Sequence, residues 1–143
     1  MSKPFIHALS SAKKFGGKWE DYMDIHETMD SSKSIMADNR HRAITHNSYF
    51  ISIIMPKIFG ETFKRKSDNG IVSTRDVAEQ HVLEDYKHKF IPAASDFLNK
   101  IPFEPWMQNG NGRGAEGYPD SYPNKEKMTK LTTKETIKFQ NID

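Results

Sequence analysis

There is no cysteine among the 143 residues, which removes disulfides, zinc–thiolate sites and cysteine nucleophiles at once. Charge of one sign is not in excess either: 21 Lys and Arg stand against 19 Asp and Glu, a net charge of +2. Divided after residue 107, the balance is 15 against 14 before and 6 against 5 after, summing to the same 21 and 19. A dedicated nucleic-acid binder carries a clear positive surplus, so nucleic acid is not the expected partner. Long apolar runs are missing as well. The most apolar stretch, Tyr49 to Phe59, is interrupted by Ser52, Pro56 and Lys57 and is too short to span a bilayer. The opening Met1-Ser2-Lys3-Pro4-Phe5 leads into no apolar leader segment, so the expected compartment is the cytoplasm, or the host cytoplasm for a viral protein.

What remains is dominated by helical periodicity. Residues 5–14 are amphipathic and stop at Gly16-Gly17, which predicts a helix with a glycine cap. Trp19, Tyr22, Met23, His26 and Met29 recur at spacings of three and four, predicting a second helix to about Met29. Asp30-Ser31-Ser32 then offers a cap for a long third helix, 32–58, with Pro56 near its end. Asn69-Gly70 between two β-favouring runs predicts a hairpin, and Lys64-Arg65-Lys66 reads as its solvated edge. Ser73 or Thr74 with Asp76 caps a fourth helix to about Lys89, and a fifth covers about 93–100. The expected architecture is mainly α: a compact helical bundle of four to five helices with one small β-hairpin over residues 1–107. The Asn/Gly-rich and Tyr-Pro stretches after Gln108 have too little apolar surface to fold alone, so 108–143 reads as a flexible or partner-docking tail.

Chemistry concentrates in two stretches, Asn39 to Ser48 and Glu79 to Asp85, which hold three of the six histidines among arginines and carboxylates. Such groups are costly against a core unless paired or put to use. On a straight helix His41 and His46, five apart, point about 140° from one another, so both serve one ion only with a bulge. Arg42 shares a face with His46 and with Asp38. His81 shares a face with Glu84, Asp85 and His88, whereas Glu79 points nearly opposite. His26 shares its face with Tyr22 and Asp30. The best convergent set is therefore His26, His46 (or His41), His81 and Asp85, with Arg42 nearby. Neutral imidazole and carboxylate suit zinc, manganese, iron or nickel. The competing reading of any one such histidine is a paired surface or semi-buried residue, and His7 and His88 are read that way. For Arg42, a pair with Asp38 competes with binding of phosphate or carboxylate.

The same stretches resemble a small family of uncharacterised phage and bacterial proteins. It shares an Arg-His-Arg-Ala-x-x-His-Asn-Ser core (Arg40 to Ser48), a Phe-Gly pair (Phe59-Gly60), a Glu-Gln-His-Val-x-Glu-Asp box (Glu79 to Asp85) and a Pro-Trp-Met (Pro105 to Met107). The resemblance covers about residues 5–107 and implies a compact domain of viral or prophage origin. The order His26, His46-Asn47, Asp85 is also similar in outline to the HD phosphohydrolases, all-helical metal enzymes, although Asn47 stands where that pattern has aspartate.

Three functions follow as expectations. The first is a metal-dependent hydrolase of a nucleotide or other phosphate ester. In it His26, His46, His81, Asp85 or His41 hold the ion, Glu84 or Glu79 handles protons, and Arg42 with Asn47 binds phosphate. The second is a non-catalytic accessory protein that sequesters a small anionic ligand or binds a host protein. The third is a homo-oligomeric structural component.

Overall fold

The computed structural model describes residues 3–110. Backbone contacts divide the chain into two units, Met1–Lys100 and Ile101–Asp143. The first begins with helix α1, Pro4–Phe15, which has proline in its first turn, Lys13 and Lys14 in its last, and Gly16 at φ 99° behind it. A 3-10 turn, Trp19–Asp21, leads into α2, Met23–Met29. After the turns at Ser31–Ser34 and Asn39–His41 come α3, Arg42–Thr45, a π-helical turn at Phe50–Ile54, and α4, Met55–Phe59. Strands β1, Thr62–Lys64, and β2, Ile71–Ser73, pair antiparallel with Phe63 opposite Val72. Helix α5, Thr74–Asp85, and the short α6, Ala94–Leu98, complete the unit. The described part of the second unit holds one helical turn, α7, Trp106–Asn109. The expected tail falls outside the described residues from 111 onward.

The mainly helical architecture with one hairpin is as the periodicity indicates. The long third helix is not. Asp38 has extended backbone and accepts the Arg40 N–H through its carboxylate, which starts a new turn there. Eight residues on, His46 leaves helical geometry at φ −102°, ψ 55°. Asn47 then serves both sides of the break: its amide nitrogen donates to the Ala43 and Ile44 carbonyls, and its oxygen accepts the Phe50 N–H. The fourth helix also ends earlier than expected, at Asp85, because Lys87 and His88 take left-handed backbone, φ 57° and 59°.

The hairpin is pinned to α1. Arg65 donates to the Phe15 carbonyl and to Asp68, while Asp21 accepts from the backbone and hydroxyl of Ser67. Arg65 is thus a docked group with a side chain only 15% exposed, where a solvated edge was expected.

The interior has two chemical regions. Tyr22, Ile25, Met29, Ile51, Met55, Val72, Val77 and Val82 form the apolar one. The other is polar: His7, Ser11, His26, Asp30, Ser32, His41, Thr45, His46, Gln80 and His81 are all buried. Helix α1 explains how. It turns His7, Ala8 and Ser11 inward and leaves Ile6 and Leu9 half-exposed.

Candidate metal centre

Five of the six histidines lie at 0–1% exposure. Helix α1 contributes His7, α2 His26, the turn before α3 His41, the end of α3 His46, and α5 His81. Asp30 caps the end of α2 and Asp85 closes α5, so the two carboxylates enter from separate elements.

One ligand atom each from Asp30, His46, His81 and Asp85 falls within a group no more than 4.8 Å across. His46 Nε2 is 2.8 Å from Asp85 Oδ2 and 3.7 Å from Asp30 Oδ1. His81 Nε2 is 3.2 Å from Asp30 Oδ1 and 3.4 Å from Asp85 Oδ2. Bonds of about 2.0–2.1 Å to one tetrahedral ion set neighbouring donors about 3.4 Å apart. The contacts observed bracket that spacing, and two carboxylates with two neutral imidazoles match a divalent cation in charge. The donor types fit the group.

A second layer of side chains holds these four. His26 meets Ser11 Oγ through Nε2 at 2.7 Å and His81 Nδ1 through its own Nδ1 at 2.9 Å. Ser11 also donates to Gln80 Oε1 at 2.6 Å. Thr45 Oγ1 lies 2.8 Å from His46 Nδ1 and 3.0 Å from Ser32 Oγ, which contacts His41 Nδ1 at 2.8 Å. The His7 ring stacks on that of His81, centroids 3.8 Å apart. Its Nδ1 meets Glu84 Oε1 at 2.7 Å, and its Nε2 lies 3.2 Å from Asp85 Oδ1.

The charge states follow from these neighbours. Burial would raise the Asp85 carboxyl, but hydrogen bonds from His46, His7 and His81 overcome it and hold the group far below the ordinary range. Asp30 is lowered in the same way, its burial outweighed chiefly by the bond from His81. Glu84 is also lowered, bonds from His7 and Ser10 prevailing over burial. Burial opposes charge on His7 too, yet the carboxylates of Asp85 and Glu84 lift it to about 9. Burial and the neighbouring His81 and His7 push His26 down to about 2. His46 falls to about 4, burial prevailing over its bond to Asp85.

The sequence-derived candidates therefore divide. His46, His81 and Asp85 meet, with Asp30 at the position expected of His26. His26 stands one layer behind, both ring nitrogens engaged. His41 is buried next to His46, ring centroids 5.1 Å apart, outside the four-atom group, and its Nε2 has no hydrogen-bond partner. Glu84 sits at the edge with its side chain 19% exposed. Glu79 pairs with Arg75 at 3.0 Å on the outer face of α5, away from the cluster. Asn47 is committed to backbone groups. Asp38 pairs with Arg40, leaving Arg42 with its guanidinium 5.0 Å from the centre of the Tyr86 ring.

Two members were not among the candidates. His7 was read as ordinary, yet its spacing of four from Ser11 was the available signal that one face of α1 is polar and inward. Asp30 is read from the sequence as a cap and as sharing the His26 face, not as a ligand. The chain belongs to the family described as Domain of unknown function (DUF6915). Its pattern covers residues 2–107, and so takes in every member of the cluster. No curated protein and no solved structure matches the chain.

Proposed function

We propose that this protein binds one divalent transition-metal ion through Asp30, His46, His81 and Asp85. The observation that carries the reading is the meeting of two imidazole Nε2 atoms with two carboxylate oxygens at coordination spacing. The two carboxylates repel one another at such distances, and a cation held between them and the imidazole Nε2 atoms turns every contact attractive. Zinc, manganese, iron and nickel all suit the donor set.

The activity class this reading favours is hydrolysis of a phosphate ester. When bound, such an ion supplies Lewis-acid chemistry and an activated water. Arg42 supports a phosphate-containing ligand: its Nε is buried without a hydrogen-bond partner, and it lies against Tyr86, the residue after Asp85. Glu84, the most exposed carboxylate of the cluster, is the candidate for proton handling at the edge.

A second reading has its own observation. The four donor side chains are only 0–6% exposed, and closed sites of this kind hold structural ions. The protein would then be a non-catalytic accessory factor, binding a host protein or small anion, or assembling with itself. It has no helix among the described residues long and apolar enough to cross a membrane.

The test is metal titration of untagged, metal-stripped protein, followed by hydrolysis assays on p-nitrophenyl phosphate and its diester. One equivalent of Co²⁺ with a visible absorption band is expected in the wild type and not in His46→Ala or His81→Ala. Turnover that disappears in the same variants supports the hydrolase. Stoichiometric binding with no turnover supports the structural ion, and no binding overturns the proposal.

A further inference from the structure

Behind His81 runs a line of fully buried polar groups, Gln80–Ser11–His26, whose donors and acceptors can be assigned in order. Gln80 is the anchor. Its amide nitrogen faces the His7 carbonyl at 3.4 Å, a group that only accepts. Its Oε1 is therefore the end that faces Ser11, 2.6 Å away, and the Ser11 hydroxyl spends its one proton on it. Ser11 Oγ must then accept from His26 Nε2–H at 2.7 Å. The partners of His26 are a hydroxyl and an imidazole, so a charge on this fully buried ring would go unpaired. A neutral ring protonated at Nε2 carries a lone pair at Nδ1. The 2.9 Å contact between the two Nδ1 atoms then requires the proton to be on His81.

We propose that Gln80, Ser11 and His26 form a positioning relay that fixes the His81 proton on Nδ1 and so reserves His81 Nε2 for an ion. The inference rests on the metal reading above and deepens it, because it makes the centre pre-organised instead of assembled on contact with metal. His81 Nε2 faces Asp30 Oδ1 and Asp85 Oδ2, and a positive charge between these atoms, a metal ion or a proton, is what the arrangement calls for. Metal-ligating histidines are commonly held through their other ring nitrogen, and loss of such support costs about 10–100-fold in metal affinity. Here the support comes from α1, α2 and α5, so three elements set the protonation of one ligand.

Long-range proton–nitrogen NMR spectra of the metal-free full chain read the tautomer of each imidazole without any variant. His81 protonated at Nδ1 and His26 protonated at Nε2 are the expected patterns. Ser11→Ala and Gln80→Met are expected to weaken Co²⁺ binding by about 10–100-fold and to shift the His81 pattern toward the other tautomer. Ser11→Thr, which keeps the hydroxyl, is expected to restore both. A wild-type His81 with its lone pair at Nδ1 overturns the relay, as does unchanged Co²⁺ affinity in both weakening variants. Absence of Co²⁺ uptake by the wild type, with the expected tautomers in place, overturns the metal reading and leaves the relay supported as the device that sets the His81 proton.

Discussion

Asp85 gathers three imidazoles, from His46, His81 and His7, around one carboxylate whose side chain is 3% exposed. Removing one partner of a buried, paired charge costs about 3–5 kcal/mol. Asp85→Ala is therefore expected to destabilise the metal-free protein by about that amount in urea denaturation and to abolish Co²⁺ binding. Glu79 provides the contrast. It belongs to the same Glu-Gln-His-Val-x-Glu-Asp box, yet it pairs with Arg75 on the surface, and exposed pairs of this type are worth about 0–1 kcal/mol. Glu79→Ala is expected to leave Co²⁺ affinity unchanged and to shift stability by no more than about 1 kcal/mol in the same denaturation series. Helical spacing already separates these two residues, since Glu79 and His81 project from nearly opposite sides of α5. Spacing is silent on which polar face is buried, so His7 looked ordinary.

Elements matter where they stop. Asn47 ends α3 and starts the π-helical turn with a single side chain, and this break is what lets His46 leave the helical path and enter the cluster. Asn47→Ala removes the cap on the Phe50 N–H and both donations to α3. Loss of a cap costs about 0.5–2 kcal/mol, and calorimetry is expected to show a drop of that order with weakened Co²⁺ binding. The hairpin depends on a different contact. A Cβ on Gly70 would lie 2.0 Å from Arg65 Nη2, so Gly70→Ala must move the guanidinium from the Phe15 carbonyl. Faster hydrogen exchange at Arg65 and Asn69, whose amides close the turn, is the expected result, with Co²⁺ affinity preserved. Periodicity carried a helix through residues 32–58 because apolar residues kept their spacing. It could not register that Asp38 and Asn47 bond the backbone locally and outcompete the ladder.

On the scale of the molecule, the polar half of the interior makes stability depend on pH in two directions. His26, His46 and His41 are held below their ordinary value, chiefly by burial. Below about pH 6.5 the unfolded chain takes up protons that these rings refuse when folded, so stability falls with acid. Asp30, Glu84 and Asp85 are also lowered, and their contribution is present above about pH 4 and lost as the pH drops through their folded values. His7 is raised, so its contribution is complete below about pH 6.5 and is lost as the pH climbs through about 9. Calorimetry of the metal-free protein is expected to give a maximum near neutrality, a steep acid limb and a shallower alkaline one. Added ion shifts the acid limb to lower pH by binding the folded state alone.

Residue pattern by itself determined that this chain is mainly helical with one hairpin, and it set His46, His81 and Asp85 among the residues expected to converge, which they do. Those features are local: apolar spacing, turn residues, and charged groups too costly to bury idle. The partners of those residues were settled only in three dimensions. Asp30 in place of His26, the inward face of α1 and the hydrogen-bonded line of Gln80, Ser11 and His26 each depend on helices distant in sequence turning particular sides toward one another. A one-dimensional spacing contains no information on that rotation, which is fixed by the packing of the whole interior.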